Sequence, residues 1–237
     1  MASSQDHPAV DYLDLLAAEG SALISAVRHG PLTAAVPTCA GWDVRALAAH
    51  IGTTWSWSAQ VVRERLSGPP AYNMPESLAD DEVQPYLENS LETLLESLGN
   101  CPVEAEVWGF GKQPRTSEFW RRRQAMETVV HRVDAELAVG EPPRIQPAVA
   151  AEGISEFLDV MTPRMHYKQE PPPGLWRLTA SDTGDVWTYG DPAGPEGTLT
   201  GSAEDLFLML WGRTDGSAVE RGGDPEILAG WLALGSP

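Results

Sequence analysis

Helix-breaking residues punctuate the first part of this chain so regularly that they leave room for little except a bundle of helices. Gly30-Pro31, Gly68-Pro69-Pro70, Gly99, and Gly140 with Pro142-Pro143 separate segments whose apolar residues recur at helical spacing. In the first, Pro8 to Arg28, the positions Val10, Leu13, Leu16, Ala17, Leu23, Ile24 and Val27 predict one amphipathic helix. Asp43 is placed to cap a second, which carries Val44, Leu47, Ile51 and Trp55 on one stripe and runs to about Leu66. Val83, Leu87, Leu91, Leu94, Leu95 and Leu98 predict a third, closed by Gly99. The fourth starts near Thr116 or Ser117, and the run EFWRRRQAMETVVHRVDAELAVG carries it to Gly140.

Beyond Gly140 the pattern changes. Residues 141–147 read as a linker, and Val149 to Met165 as a further helix before a Pro171-Pro172-Pro173-Gly174 hinge. Leu175 to Ala180 and Asp185 to Tyr189 are strand-like stretches around a Ser-Asp-Thr-Gly turn, and Thr198 to Gly201 is a third. Ser202 caps an apolar helix from Ala203 to Trp211, Val219 to Gly223 suits an edge strand, and Asp224-Pro225 opens a closing helix through Leu232. The expected class is α+β: a four-helix bundle over 1–145 and a small α+β domain over 146–237.

Composition narrows the partners. An apolar share of 42% in 237 residues suffices for a buried core, so the chain is globular and not disordered. With 34 acidic against 16 basic side chains, the net charge of -18 repels phosphate backbones and anionic lipid, which argues against nucleic-acid and membrane partners. The opening MASSQDHPAV lacks the basic and apolar regions of an export signal, and no apolar run is long enough to span a bilayer, so a cytoplasmic location is expected. Cys39 and Cys101 are then two thiols and not a bridge.

The chemistry-bearing residues lie on the second and fourth helices. Glu127 and His131 are four apart, so they project from one face, one turn from each other, where a single ion can reach both. At about 100° per residue they fall roughly 100° to 140° from Met126, flanking the stripe of Met126, Val130, Val133 and Leu137. On the second helix His50 shares a face with Thr54 and Trp57 beside that helix's own stripe, again at a pocket edge. Two imidazoles and a carboxylate form a recurrent set for catalytic zinc, with an open position for water or substrate, and they suit other divalent ions as well. Asp134, one turn after His131, is either an acceptor for the histidine's second ring nitrogen or a solvent-facing or Arg-paired residue. The run Arg121-Arg122-Arg123 reads as a solvated face, with contacts to an anionic substrate or cofactor as the alternative. Cys39 reads as loop packing, its other options being a fourth ligand or a redox thiol, and Trp42, Trp55, Trp57 and Trp120 as core or pocket wall.

Three segments carry a resemblance. Val36-Pro37-Thr38-Cys39-Ala40-Gly41-Trp42-Asp43 continuing to His50, the run Trp120 to Glu136 with Glu127, His131, Arg132, Asp134 and Glu136, and Asp205-Leu206-Phe207-Leu208-Met209-Leu210-Trp211-Gly212-Arg213 together resemble the mycothiol-dependent maleylpyruvate isomerase family. The resemblance spans nearly the whole chain. It implies a DinB-like four-helix metal-binding domain followed by a small domain related to sterol-carrier-like folds. It also implies that His50, Glu127 and His131 hold a divalent metal, zinc first, and that Arg213 contributes a catalytic or substrate-binding group. One departure is visible: members often carry His before the metal-binding Glu, and Met126 stands there, so any contact from that imidazole is lost.

The implied cofactor is mycothiol, a low-molecular-weight thiol of actinobacteria. Zinc would bind and deprotonate its sulfur and present a thiolate to a small electrophile. Addition to a conjugated cis double bond, rotation and thiol expulsion make an isomerase; displacement of a leaving group makes an S-transferase. Arg213 can pair with a substrate carboxylate or steady an enolate; as a plain helix-end residue it would form a salt bridge. The alternatives are a thiol-independent zinc protein, either a hydrolase using zinc-bound hydroxide or a non-catalytic ligand-binding module. A monomer or small homo-oligomer is expected.

Overall fold

The computed structural model describes residues 10–111, 114–165 and 173–233. Contacts divide the chain into two compact units, one spanning Asp11–Pro143 and the other built on the residues from Arg144 onward.

The first unit is a bundle of α1 (Tyr12–His29), α2 (Val44–Arg63), α3 (Asp80–Gly99) and α4 (Ser117–Ala138). α1 packs on α4 and α2 on α3, with α1–α3 and α2–α4 contacts closing the bundle. α1 starts later than the apolar spacing suggests, because the Asp11 carboxylate accepts from the N–H groups of Leu13 (3.0 Å) and Asp14 (3.1 Å) and caps the helix there. The expected start at Pro8 lies outside the described residues. Asp43 caps α2 as expected, accepting from Ala46 N–H at 2.8 Å. That helix ends at Arg63 and not near Leu66: Arg65 takes φ 48°, and Leu66 N–H reaches back to the Val61 carbonyl at 3.0 Å, closing the last turn. α3 begins at Asp80, ahead of its first apolar residue, with Asp80, Asp81 and Glu82 in the first turn, where the helix dipole favours negative charge.

α4 departs most from the one-stripe expectation. It is buried on nearly every side, including Arg123, Gln124, Thr128, His131, Arg132 and Asp134, while Leu137 of the expected stripe is only half-buried. Such burial is costly for a polar group without a partner, and most of these groups have one, Gln124 Oε1 being an exception. Trp55 Nε1 donates to Thr128 Oγ1 at 2.9 Å, and the hydroxyl of Thr128 donates to the Gln124 carbonyl at 2.7 Å. The Arg132 guanidinium pairs with Glu19 on α1 and with Glu136 one turn further along α4.

In the second unit a mixed sheet is ordered β2-β1-β3-β4, with β1 (Leu175–Ala180), β2 (Val186–Gly190), β3 (Glu196–Gly201) and β4 (Glu220–Gly223). β1 pairs parallel with β3; β1–β2 and β3–β4 are antiparallel, which leaves β4 at an edge as expected. β3 starts two residues earlier than its composition suggests. Across the parallel pair, Arg177 Nε and Nη2 hold Glu196 at 2.9 and 3.0 Å, drawing that residue into the strand. α5 (Pro147–Glu156) and α6 (Thr162–Met165) were expected as one regular helix. A wide π turn at Phe157–Met161 separates them, burying every residue of the turn except Asp159. α7 (Ala203–Leu210), capped by Ser202, packs on α5, and α8 (Pro225–Leu232) packs on β1, β3 and β4. Of the expected hinge, Pro171 and Pro172 lie outside the described residues, and Gly174 has φ 99°. Among the described residues no helix is long and apolar enough to cross a membrane.

Candidate metal centre

Two helices and two loops build the site. A tight loop before α2 is closed by the Ala35–Asp43 bridge and by Val36 N–H on the Trp42 carbonyl at 2.9 Å. The loop sets the Trp42 ring 4.9 Å from the His50 ring and brings Thr38 and Cys39 onto Asp134 of α4. On α4, Arg123, Glu127 and His131 follow one another at single-turn spacing.

The structure brings His50, Glu127 and His131 together: one ligand atom from each lies within 4.8 Å of the others. Glu127 Oε1 is 3.3 Å from His131 Nε2 and 3.6 Å from His50 Nε2. Three donors on a tetrahedral ion with bonds of about 2.1 Å are separated by roughly 3.4 Å, so the two edges through Oε1 already match such an ion. This donor chemistry fits a divalent metal. The side chains of His50 and Glu127 keep 24% and 19% exposure, as expected at a pocket edge. His131 does not: it is buried, because α4 is enclosed on that side too.

The surroundings fix each group. Asp134, with 0% exposure, accepts at Oδ2 from His131 Nδ1 at 2.8 Å; its other oxygen takes the Thr38 hydroxyl at 2.5 Å. Of the two roles open to Asp134 in the sequence, the structure places it as the imidazole's partner, not as a solvent-facing residue. The Tyr72 hydroxyl, from the loop between α2 and α3, lies 3.3 Å from His50 Nδ1 and 2.9 Å from Thr54 Oγ1. Arg123 binds Glu127 Oε2. Burial alone would push the Glu127 carboxyl up, but the Arg123 charge, together with His131 and His50, holds it well below its ordinary range. For His131 burial works toward the neutral ring, and the hydrogen bonds and charges of Asp134 and Glu127 outweigh it, raising the imidazole to about 9.

Other candidates fall elsewhere. Cys39 and Cys101 are both thiols. Cys39 Sγ donates to Asp134 Oδ2 at 3.6 Å and does not join the ligand cluster. Arg121 donates to the carbonyls of Leu98 and Cys101 at the end of α3, and Arg123 is buried, which corrects the solvated-face reading for both. Met126 is fully buried in the bundle core. Trp55 and Trp120 are core, while Trp57 is half-buried, with ring centroids 5.5 and 5.6 Å from Trp108 and Trp120. Arg213 belongs to the second unit. It follows Gly212 (φ 68°) just past α7, is half-buried, and donates to the Trp211 carbonyl at 2.5 Å.

Sequence reasoning missed Thr38 and Tyr72, and it weighed Arg123 as solvated face or substrate contact but not as the partner of Glu127. Arg123 had a signal, since it stands four residues before Glu127 as Glu127 stands before His131. Thr38 and Tyr72 arrive through loops, for which no periodicity exists.

Residues 13–136 match the sequence profile of the mycothiol maleylpyruvate isomerase N-terminal domain, and residues 148–230 that of the C-terminal domain of the same family. The chain belongs to the mycothiol maleylpyruvate isomerase family. Two solved structures share its fold. A crystal structure of the mycothiol-dependent maleylpyruvate isomerase superposes with a TM-score of 0.64 at 18% identity, covering 92% of this chain and 94% of that one. A histidine-to-alanine mutant of that isomerase gives 0.66 at 17% identity over the same shares. At these identities the likeness extends to the fold alone. No curated protein matches the chain significantly by sequence.

Proposed function

We propose that the chain is a metal-dependent, mycothiol-using enzyme acting on a small electrophile, with cis-trans isomerisation of a maleylpyruvate-type substrate as its reaction and mycothiol S-transfer as the variant sharing its first step. The supporting observation is the convergence of His50, Glu127 and His131 on one point, with Glu127 Oε1 3.3 and 3.6 Å from the two imidazoles. Zinc is the ion this donor set suits first. Bound there with one position open, it would take the thiol sulfur and favour its thiolate at neutral pH.

The chain's own residues prepare that site. Asp134 fixes the ring of His131 so that Nε2 faces the cluster, and Tyr72 stands at the corresponding nitrogen of His50. Cys39, on Asp134, leaves the fourth position to an external ligand, which supports an open site over a closed four-ligand one. Arg213 is our candidate for the group that binds a substrate carboxylate in two-pronged fashion or steadies an enolate. We assign metal binding to domain 1–145 and the Arg213 contribution to domain 146–237, in a cytoplasmic setting suited to thiols.

Metal analysis tests this reading. Purified protein should hold a stoichiometric divalent ion, His131→Ala should lose it, and mycothiol should change the ion's coordination. Wild type without such an ion, or an ion indifferent to mycothiol, would overturn the proposal. Turnover with no added thiol would identify a hydrolase instead.

A further inference from the structure

The two carboxylate oxygens of Glu127 face different partners. Oε1 lies toward both imidazoles, at 3.3 and 3.6 Å, whereas Oε2 accepts from Nη2 of Arg123. Arg123 stands one turn earlier on α4 with only 3% of its side chain exposed, so it is held in place by the bundle and not by solvent. A guanidinium that buried, set against the far oxygen of a candidate ligand, has a specific consequence for coordination.

We propose that Arg123 is a positioning residue that keeps Glu127 a one-oxygen ligand and thereby preserves the coordination position a thiol needs. The inference rests on the metal-and-thiol reading above. Its first support is geometric: with Oε2 engaged by a charge-assisted hydrogen bond, the carboxylate cannot turn both oxygens toward one ion. Its second is charge. The positive guanidinium offsets the negative carboxylate, so the ion's own charge remains available to a bound thiolate and is not spent on Glu127. Removing Arg123 frees Oε2 in a buried setting where the ion is the nearest cation. The carboxylate then closes on it through both oxygens, which adds a fifth donor beside the ligand in the open position and crowds the place the thiol would take.

Cobalt(II) substitution in the full-length protein reads this directly, because four-coordinate cobalt absorbs visible light far more strongly than five-coordinate cobalt. Wild type should show the strong four-coordinate spectrum and shift it on adding mycothiol. Arg123→Met, which keeps the length and apolar packing of the stem, should bind cobalt at least as tightly, show the weaker spectrum, and bind mycothiol about tenfold less tightly or worse, the usual scale for a group that orients a ligand. Arg123→Lys retains the charge and one donor, and should keep the strong spectrum with a several-fold loss of mycothiol affinity. A residue needed only for folding would lower the melting temperature yet leave the coordination of bound cobalt unchanged. If Arg123→Met matches wild type in spectrum and mycothiol affinity, the inference fails while the metal reading stands. If only Arg123→Lys folds, an unchanged mycothiol affinity in that variant overturns it. Wild type that takes up no cobalt, or whose cobalt ignores mycothiol, overturns both.

Discussion

His131 is held between two carboxylates, Asp134 at 2.8 Å on Nδ1 and Glu127 at 3.3 Å on Nε2, and in the metal-free protein these raise its imidazole to about 9. A group whose folded value lies above its unfolded one adds stability that is fully present below the unfolded value, 6.5 here, and is lost as pH rises through the folded value. Glu127 has the opposite sign: held below its ordinary 4.5, it adds stability present above that value and lost as pH falls through the lowered one. Metal-free protein should therefore lose several degrees of melting temperature between about pH 6.5 and 9. Asp134→Asn should flatten that decline, and bound metal should remove it, since a metal-bound imidazole carries no extra proton across the range. Calorimetry of the metal-free protein showing no decline over this window would contradict the assignment. At this scale much of the site was legible in sequence: the spacing of Glu127 and His131 placed them on one face, and Asp134 followed at the distance of a helical turn. Arg123 was not, because three consecutive arginines in an acidic chain look like solvated surface until the burial of α4 is known.

α4 is the element on which single-sequence reasoning and structure differ most. Helical periodicity identified it and a start near Thr116 or Ser117, but a stripe of apolar residues implies one buried face, whereas α4 is wrapped on nearly all sides with its buried charges paired inside. Periodicity detects hydrophobic contrast, and paired charges look polar to it wherever they lie. Arg132 is the clearest case, with 6% side-chain exposure, pairing with Glu19 of α1 and Glu136 of α4. Removing Arg132 leaves the two carboxylates, 19% and 16% exposed, without their shared partner, so Arg132→Met should destabilise the bundle by about 3 kcal/mol. Urea unfolding measures this; a loss below about 1 kcal/mol would mean that water screens the cluster as it does a surface pair. The π turn at Phe157–Met161 was equally hidden, since one extra residue per turn leaves the local composition of a helix unchanged.

For the whole molecule, the change from helical to strand-like patterning after Gly174 announced the architecture, while the sheet order did not follow from it. The parallel pairing of β1 with β3 depends on which strands meet across the sheet, and short strand-like stretches do not encode that. The two-part build has a consequence for function. The candidate metal ligands all belong to the unit spanning Asp11–Pro143, and Arg213 belongs to the other. If the first holds ion and thiol and Arg213 recognises the electrophile, the two tasks separate by mutation. Arg213→Ala should leave metal content and mycothiol affinity unchanged while raising KM for a carboxylate-bearing electrophile about tenfold or more, the scale of a lost charge-assisted bidentate contact. Arg213→Lys, which keeps the charge but not the planar fork, should recover only part of that loss. Steady-state kinetics with mycothiol in excess, alongside metal analysis of both variants, decides it. An unchanged KM would return Arg213 to the role of a helix-end residue, and a loss of metal in Arg213→Ala would show that the two units do not divide the work in this way.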